Sequence, residues 1–232
     1  MAIKIGNSAK DSQYLKRIKD AISGEKNHPK NNGIKMQAHH IISGEGMKRS
    51  GLGKKIEKMG YDINLLPNLV FIPCTLQGAC YLRIQPHRGN HDATINEDDY
   101  DDDSEPLPYH EMVLRRLHAL DLPLSKECPG DHLSKAEKVI GELNELSRKI
   151  LLRIQMKPKE APLTKLATHF SEGGYGCGGV DSVSAHRGQQ RCPVDRNHMF
   201  NSSSPENSQG KNQKNEKIVY SNIKKYRLKV GK

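Results

Sequence analysis

Four histidines in two short clusters are the residues of this chain whose types and spacing best fit catalysis. His39 and His40 are adjacent, and His87 and His91 follow at an H-x3-H spacing. Residues four apart share a helix face, so the later pair can point both rings at one ion. The doublet can then supply a third ligand and a general base. The pattern predicts a metal site with an acid–base residue beside it.

This set of groups suits the hydrolysis of a phosphodiester. That reaction requires that water be deprotonated, that charge on the phosphate be stabilised and that the leaving oxygen be neutralised. One divalent cation can provide the second and third of these as a Lewis acid. A free imidazole has a reference pKa of about 6.5, so it can accept the proton of water at neutral pH.

The sequence around the histidines predicts two strands followed by a helix. Residues 33–42 are expected to form a strand that runs into the doublet, and residues 68–73 a short buried strand ended by its proline. Gln85-Pro86-His87 is expected to open a helix, because proline is favoured near the first helical position. That helix would carry the H-x3-H pair.

The remaining segments are predicted to be mostly helical. Helices are expected over residues 8–24, 44–60, 109–120 and 134–156, the last with a capping box formed by Ser134 and Glu137. The acidic run Glu97–Glu105 is predicted to be a loop, since its seven carboxylates repel one another. Residues 201–215 have the composition of a linker, and residues 218–220 and 226–230 could form two short basic strands.

The doublet poses a geometrical problem. Neighbouring residues on a regular strand point to opposite faces, so both rings reach one site only where the backbone bends at His39-His40. Alternatively, one of the two histidines is structural. The residues themselves also leave open which of the two would be the ligand and which the base.

Four segments occur in an order that resembles the AHH family of the His-Me finger (HNH) nucleases, over a stretch from Gly33 to Leu120. They are Ala38-His39-His40-Ile41-Ile42, Leu66-Pro67-Asn68-Leu69-Val70, His87-Arg88-Gly89-Asn90-His91 and Tyr109-His110. The resemblance implies an α+β fold, in which a small ββα metal finger is embedded in mostly helical surroundings with a loop-rich C-terminal region.

The same resemblance implies a role for each matching residue. His39 would be a metal ligand, His40 the general base, and His87 and His91 the other two ligands. Asn68 would brace the loop that carries His40. The cofactor would be one divalent metal ion: Zn²⁺, Ni²⁺, Mn²⁺ and Co²⁺ suit imidazole ligands better than Mg²⁺, and the sequence does not choose among them.

Several alternatives stay open at this point. Arg88, between the paired ligands, could clamp a phosphate or be a solvated arginine at the start of a helix. His110 could orient a ligand, contact substrate or only pack against the finger. The histidines as a whole could be ordinary surface or core residues, or they could hold a structural zinc without catalysis.

A second candidate metal site lies in the C-terminal region. Two cysteines and two histidines, enough for tetrahedral zinc, follow a C-x8-H-x5-C-x5-H spacing: Cys177, His186, Cys192 and His198. The spacing is not that of a short zinc knuckle. Reduced thiols and scattered histidines in a Gly-rich loop are therefore one alternative, and a cysteine–histidine nucleophile is another. The five cysteines, an odd and sparse set, predict no disulfide framework.

Composition restricts the class of protein. Apolar residues make up 34% of the 232 and there is no tryptophan, which predicts a thin core in one domain or two small ones. The net charge of +10 suits a polyanionic partner, although a solvated lysine-rich surface would give the same charge. No apolar run approaches the roughly 18 residues of a membrane span, and the N-terminus lacks the apolar segment of a secretory signal.

These observations predict four regions: an N-terminal helix and turn over residues 1–32, a nuclease core over 33–125, a connecting helix over 133–157 and a Gly/Ser/Asn-rich basic region over 158–232. The resemblance implies a metal-dependent endonuclease that cuts DNA, in preference to RNA, with little sequence specificity. The alternatives are a phage or restriction-type HNH endonuclease and a non-enzymatic nucleic-acid-binding protein with a structural metal.

The resemblance further implies a biological setting. AHH nucleases resemble the toxin domains of bacterial competition systems. The chain would then be made in the bacterial cytoplasm and delivered by a secretion machine, such as type VI, with a possible chaperone. It would act in the cytoplasm of the target cell. An acidic immunity protein would match its basic surface, and no membrane partner is expected.

Overall fold

A small two-stranded sheet lies at the centre of the structure. The computed structural model describes residues 13–87, 106–128, 130–164, 167–170, 218–221 and 226–232. Strand β1 (Met36–His40) pairs antiparallel with strand β2 (Leu69–Pro73), and Ala38 lies opposite Phe71. Every residue of β2 is buried, as its unbroken apolar sequence predicts.

Helix α1 and the turn after it pack against this sheet. Helix α1 (Gln13–Ile22) buries Ile18 and Ile22, which are four residues apart and share a face. The helix predicted over residues 8–24 is confirmed over this range, and residues 1–12 lie outside the described residues. A 3-10 turn (Pro29–Asn32) then leads into β1.

Two short helices connect the strands where the sequence predicts one helix over residues 44–60. Helix α2 (Gly44–Arg49) begins at Ser43, whose Oγ accepts a hydrogen bond from the backbone N–H of Gly46 at 3.1 Å. Helix α3 (Gly53–Lys58) follows. Between them Gly51 has a φ of +69°, a left-handed conformation that interrupts the helix and that glycine adopts without strain.

Helix α4 (Leu76–Leu82) is an element that sequence reasoning misses, because it is short and contains a glycine. Thr75 caps it by accepting a hydrogen bond from the backbone of Gly78 at 3.0 Å. Residues 84–87 are irregular, so the prediction of a helix that opens at Gln85-Pro86-His87 is wrong for these residues. The backbone N–H of His87 is instead bonded to the carbonyl of Pro73 at 2.8 Å.

Two longer helices complete the described core. Helices α5 (Pro106–His118) and α6 (His132–Met156) confirm the helical stripes near 109–120 and 134–156. The predicted capping box is wrong, because the N-cap of α6 is Asp131 and Ser134 lies inside the helix. The Asp131 carboxylate accepts the backbone N–H of Ser134 at 2.9 Å, and aspartate caps as well as serine does.

The C-terminal segment follows the outer edge of β2 without forming the predicted strands. The backbone N–H of Gly231 donates to the carbonyl of Leu69 at 2.7 Å, and that of Phe71 to the carbonyl of Lys232 at 2.8 Å. A turn at Val230-Gly231 limits the pairing to these two bonds. The strands predicted at 218–220 and 226–230 are therefore wrong, although the segment covers the edge of the sheet.

Helices and one small antiparallel sheet make up the described residues, which is compatible with the predicted α+β class. In this part of the chain no helix combines the length and the apolar character needed to cross a bilayer.

Cys80 is disulfide-bonded, whereas Cys74 and Cys128 are thiols, and the cysteine count alone did not predict that bond. The division into four regions stays a prediction. The predicted loop 97–105 and linker 201–215 lie outside the described residues.

The close packing of α2 on α5 requires glycine at position 46. An added Cβ would lie 2.6 Å from Cγ1 of Val113 and 2.9 Å from Oγ of Ser43. We expect Gly46→Ala to lower the free energy of unfolding by about 1–3 kcal/mol, as overpacked cores do. Gly141→Ala, where the new Cβ meets nothing within 4 Å on α6, should raise it by up to about 1 kcal/mol. Urea denaturation measures both, and changes of the same sign would contradict this account.

Candidate active site

The strand register decides where the two rings of the doublet point. His39 lies opposite Val70 and His40 opposite Leu69 in a regular antiparallel ladder. Side chains alternate between the faces of a strand, so the two rings leave β1 on opposite faces. The chain bends only after the ladder, at residues 41–42. The two imidazoles therefore have separate surroundings.

The rings of His39 and His87 lie against each other in the interior. Their centroids are 4.6 Å apart with the planes at 65°, and each residue is only 3% exposed. The backbone bond from His87 to Pro73 places it beside the end of β2. The structure thus brings together two of the three histidines predicted to be ligands, and the third, His91, lies outside the described residues.

Tyr109 fixes the orientation of His39. Its hydroxyl donates to the carbonyl of Ile41 at 2.6 Å, and its oxygen lies 2.9 Å from Nε2 of His39. Burial raises the pKa of Tyr109, so the phenol stays protonated. Because its single proton is directed to Ile41, Nε2–H of His39 is the donor in the second bond. The lone pair of the neutral His39 ring is then on Nδ1.

The sequence contains a signal for the burial of Tyr109 but none for its contact with His39. Tyr109 stands one turn before Val113 and two turns before Leu117, so it extends the apolar stripe of α5 and is predicted to face inward. All three side chains have an exposure of 0%. The periodicity predicts that Tyr109 is buried, but it does not predict the contact with His39, which lies 70 residues earlier in the chain.

Gln85 holds the segment that carries His87. Its buried carboxamide donates to the carbonyls of Ile154 at 2.8 Å and Ala161 at 3.0 Å, and accepts the backbone N–H of Leu163 at 2.8 Å. These partners belong to the end of α6 and the chain just after it. The position of His87 therefore depends on α6 as well as on β2.

His40 is half-buried on the other face of β1, where Asn64 and Tyr14 contact it. Nε2 of His40 lies 2.8 Å from Oδ1 of Asn64, and the Tyr14 ring centroid is 4.8 Å from that of His40. A carboxamide oxygen only accepts, so Nε2 carries the proton and the lone pair of the neutral ring is on Nδ1. Asn64 has an exposure of 0%, and its sequence context gave no signal of this contact.

Asn68 binds the backbone that follows the doublet. Its Oδ1 accepts the N–H of Ile42 at 2.7 Å and the hydroxyl of Ser147 at 3.0 Å. Its Nδ2 donates to the carbonyls of Ile42 and Ile63, both at 3.0 Å. The amide thus holds the chain two residues after His40, through bonds to the backbone of Ile42 and Ile63 and to the Ser147 hydroxyl.

His110 lies on α5, where this helix contacts α2. Its Nδ1 is 2.9 Å from Oγ of Ser43, the residue that caps α2, and its exposure is 2%. The structure thus places His110 where two helices pack. The role of His110, whether it orients a ligand, contacts substrate or only packs against the finger, stays a prediction.

Several predicted site residues lie outside the described residues, namely Arg88, His91, Cys177, His186, Cys192 and His198. Within the described ranges, no group of three or more His, Cys, Asp or Glu side chains is arranged to hold a metal ion. This part of the chain contributes the pair His39 and His87, and a complete site needs further donors. The C-terminal zinc site stays a prediction.

A buried pair of imidazoles, with a third imidazole held by an amide on the same strand, can bind a cation or transfer a proton. The arrangement of these histidines is therefore chemically suited to metal or acid–base chemistry. Residues 14–150, more than half of the chain, match AHH, a nuclease family of the HNH/ENDO VII superfamily with conserved AHH. The chain belongs to this family of nucleases, which confirms the resemblance. No curated protein and no solved structure matches the chain.

The hydrogen bonds of Asn68 predict a large effect on stability. Asn68→Ala leaves the buried N–H and C=O of Ile42 without this partner, and we expect the free energy of unfolding to fall by about 2–4 kcal/mol. Ser147→Ala removes only one of the four bonds and should cost about 1 kcal/mol. Urea denaturation of the two variants checks this. If Ser147→Ala lowered the free energy of unfolding as much as Asn68→Ala, the bonds of Asn68 to the backbone of Ile42 would not be its main contribution to stability.

Proposed function

We propose that this nuclease is a metal-dependent endonuclease that hydrolyses phosphodiester bonds of DNA with little sequence preference. The observation that carries the proposal is the contact of His39 with His87, at 4.6 Å between ring centroids, on the strand that also bears His40. In this proposal the two strands belong to a ββα metal finger whose helix would follow His87. Membership of the AHH family supports a nuclease and leaves the type of nucleic acid to experiment.

His39 and His87, with His91, would hold the divalent ion. The donor set fits such an ion, since the His39 and His87 rings lie together with centroids 4.6 Å apart and imidazoles suit Zn²⁺, Ni²⁺, Mn²⁺ or Co²⁺ better than Mg²⁺. When bound, the ion would stabilise the charge that develops on the phosphate and the leaving oxygen. The protein residues must then orient the phosphate and take the proton of water.

His40 is the proposed base. Because its ring leaves β1 on the face opposite His39, this assignment requires that the substrate phosphate be reached from both faces at the end of the strand. Nδ1 would accept the proton of the attacking water while the water oxygen forms its bond to phosphorus and the bond to the leaving oxygen breaks. The Nε2–H bond to Oδ1 of Asn64 would orient the ring and stabilise the imidazolium that results. Asn68 would brace this part of the chain through Ile42. Arg88 is the proposed contact to a substrate phosphate.

We propose DNA as the substrate because most His-Me finger families cut DNA. The net charge of +10 would favour binding to phosphates of any sequence. The proposed biological role is that of an antibacterial toxin, made in the cytoplasm, exported by a secretion machine and active in the target cell. An acidic immunity protein would neutralise it, since charge complementarity speeds association.

We expect the purified protein to nick and linearise supercoiled plasmid in the presence of a divalent ion, and EDTA to abolish this. His40→Ala should lower the cleavage rate by about 100-fold or more, because a general base contributes at least that factor. This variant should still bind the ion. His87→Ala should lose ion binding. His132→Ala, at an exposed histidine of α6, should behave as wild type. Gel assays with Mg²⁺, Mn²⁺, Zn²⁺, Ni²⁺ and Co²⁺ measure all four proteins.

Other outcomes of this experiment have clear meanings. Full cleavage by His40→Ala would disprove the proposed base. Cleavage of RNA but not of DNA under the same conditions would disprove the proposed substrate. If wild type bound an ion but cut neither nucleic acid, the histidines would be structural and the chain a binding protein.

Tyr109→Phe should weaken binding of the divalent ion about 10- to 100-fold, the usual effect of removing a partner that orients a metal ligand. The substitution keeps the ring and deletes only the hydroxyl next to Nε2 of His39. Tyr81→Phe is the matched control, because its hydroxyl bonds the backbone carbonyl of Tyr220 instead. Competition with a chelating dye measures both affinities, and equal affinities would refute the role of Tyr109.

A further inference from the structure

A cavity on the other side of the sheet is separate from the histidine pair. Its volume is about 550 Å³, and residues 24–28, after α1, and the C-terminal segment form its walls. Phe71 alternates with Val70 along β2, so its ring lies on the face opposite His39. There it lies 6.1 Å from the ring of His28, which lines the cavity. Cavities of this size accommodate small molecules of nucleotide dimensions.

The walls of this cavity are strongly basic. The lining side chains include four cations and one carboxylate, that of Glu25, which pairs with Lys232. The other three cations are Lys26, Arg227 and Lys229. Within the described ranges, none of the three has a carboxylate within ion-pair distance. Three cations around one cavity that have no carboxylate partner among the described residues indicate an anionic ligand.

The hydroxyl of Tyr226 adds a donor to this cavity. The backbone N–H of Lys30 donates to Nδ1 of His28 at 3.2 Å, so Nε2 of the neutral ring carries the proton and donates to the Tyr226 oxygen at 3.1 Å. Burial lowers the pKa of His28 to about 4 and raises that of Tyr226, so both keep these protonation states at neutral pH. Among the described residues nothing accepts the proton of Tyr226, which can therefore be donated to a ligand.

Aromatic surface accompanies the positive charge. Tyr220 and Tyr226 both line the cavity, with ring centroids 6.4 Å apart and planes at 86°. Nucleic-acid-binding sites combine such rings, on which bases stack, with cations that contact phosphate. We propose that this cavity binds one nucleotide unit. Arg227, Lys229 and the Tyr226 hydroxyl contact its phosphate, and its base packs on a tyrosine ring. This site does not depend on the proposed reaction, since none of its residues belongs to the histidine cluster.

The unit could be a free nucleotide or one nucleotide of a single strand, and two probes distinguish these sources. One is dAMP, measured by isothermal titration calorimetry. The other is a fluorescein-labelled single-stranded 12-mer, measured by anisotropy. Both are titrated into the full chain in EDTA, so that binding is observed without cleavage. The test variants are Arg227→Gln/Lys229→Gln and Tyr226→Phe. The control is Lys138→Gln/Lys159→Gln, which removes the same charge from exposed positions outside the cavity.

We expect the Arg227/Lys229 double variant to weaken binding of the 12-mer about tenfold or more and to lower its salt slope by about two. Tyr226→Phe should weaken it several-fold without any change of charge. The control should change it less than about twofold. If dAMP binds with the same dependence on the variants, the cavity accepts free nucleotides. If only the 12-mer does, the unit must be part of a strand.

Two results would overturn the proposal. One is an equal loss of affinity in the test and control double variants, since general charge would then explain the binding. The other is that neither probe binds, or that binding is unaffected by all the cavity variants. Either result would leave the cleavage experiment unaffected, because that experiment examines His40 and His87, and neither of them lines the cavity.

Discussion

The hydrogen bonds of one buried side chain, the carboxamide of Asn68, hold together the parts of this structure that matter most. That amide forms hydrogen bonds with both the N–H and the C=O of Ile42, with the carbonyl of Ile63 and with the hydroxyl of Ser147 on α6. The backbone carbonyl of Asn68 also accepts the N–H of Ile41. The end of β1, the loop before β2 and helix α6 are thereby fixed relative to one another. Because the amide is 1% exposed, water cannot replace these bonds.

With this frame in place, the two histidines of the doublet are held in the same way on opposite faces of β1. Each has its Nε2 bonded to one partner: the Tyr109 hydroxyl for His39 and the Asn64 amide for His40. Each partner fixes the tautomer and therefore directs the Nδ1 lone pair. Because side chains alternate between the faces of β1, the two rings have different environments. In the proposal His39 is the ligand and His40 is the base.

Local sequence predicted the helical stripes of α1, α5 and α6 and the approximate positions of both strands, because these depend on apolar periodicity. It did not predict what depends on distant contacts. Residues 84–87 are irregular because Gln85 bonds to residues more than 60 positions later, and no local pattern contains that information. The roles of Asn64 and Tyr109 depend equally on pairing between separate segments. The N-cap of α6 was placed three residues late because Asp131 and Ser134 are both good caps, and only the hydrogen-bond geometry chooses between them.

The backbone bonds of Gly231 and Lys232 to β2 have a consequence for the order of folding. Strand β2 is wholly apolar, and one of its edges is covered by residues about 160 positions further along the chain. Closing so long a loop is entropically slow, and contacts of such high sequence separation form late. During synthesis the edge of β2 is therefore open for pairing with other chains until this segment leaves the ribosome. Nascent chains of this protein pass through an aggregation-prone interval that the finished fold conceals.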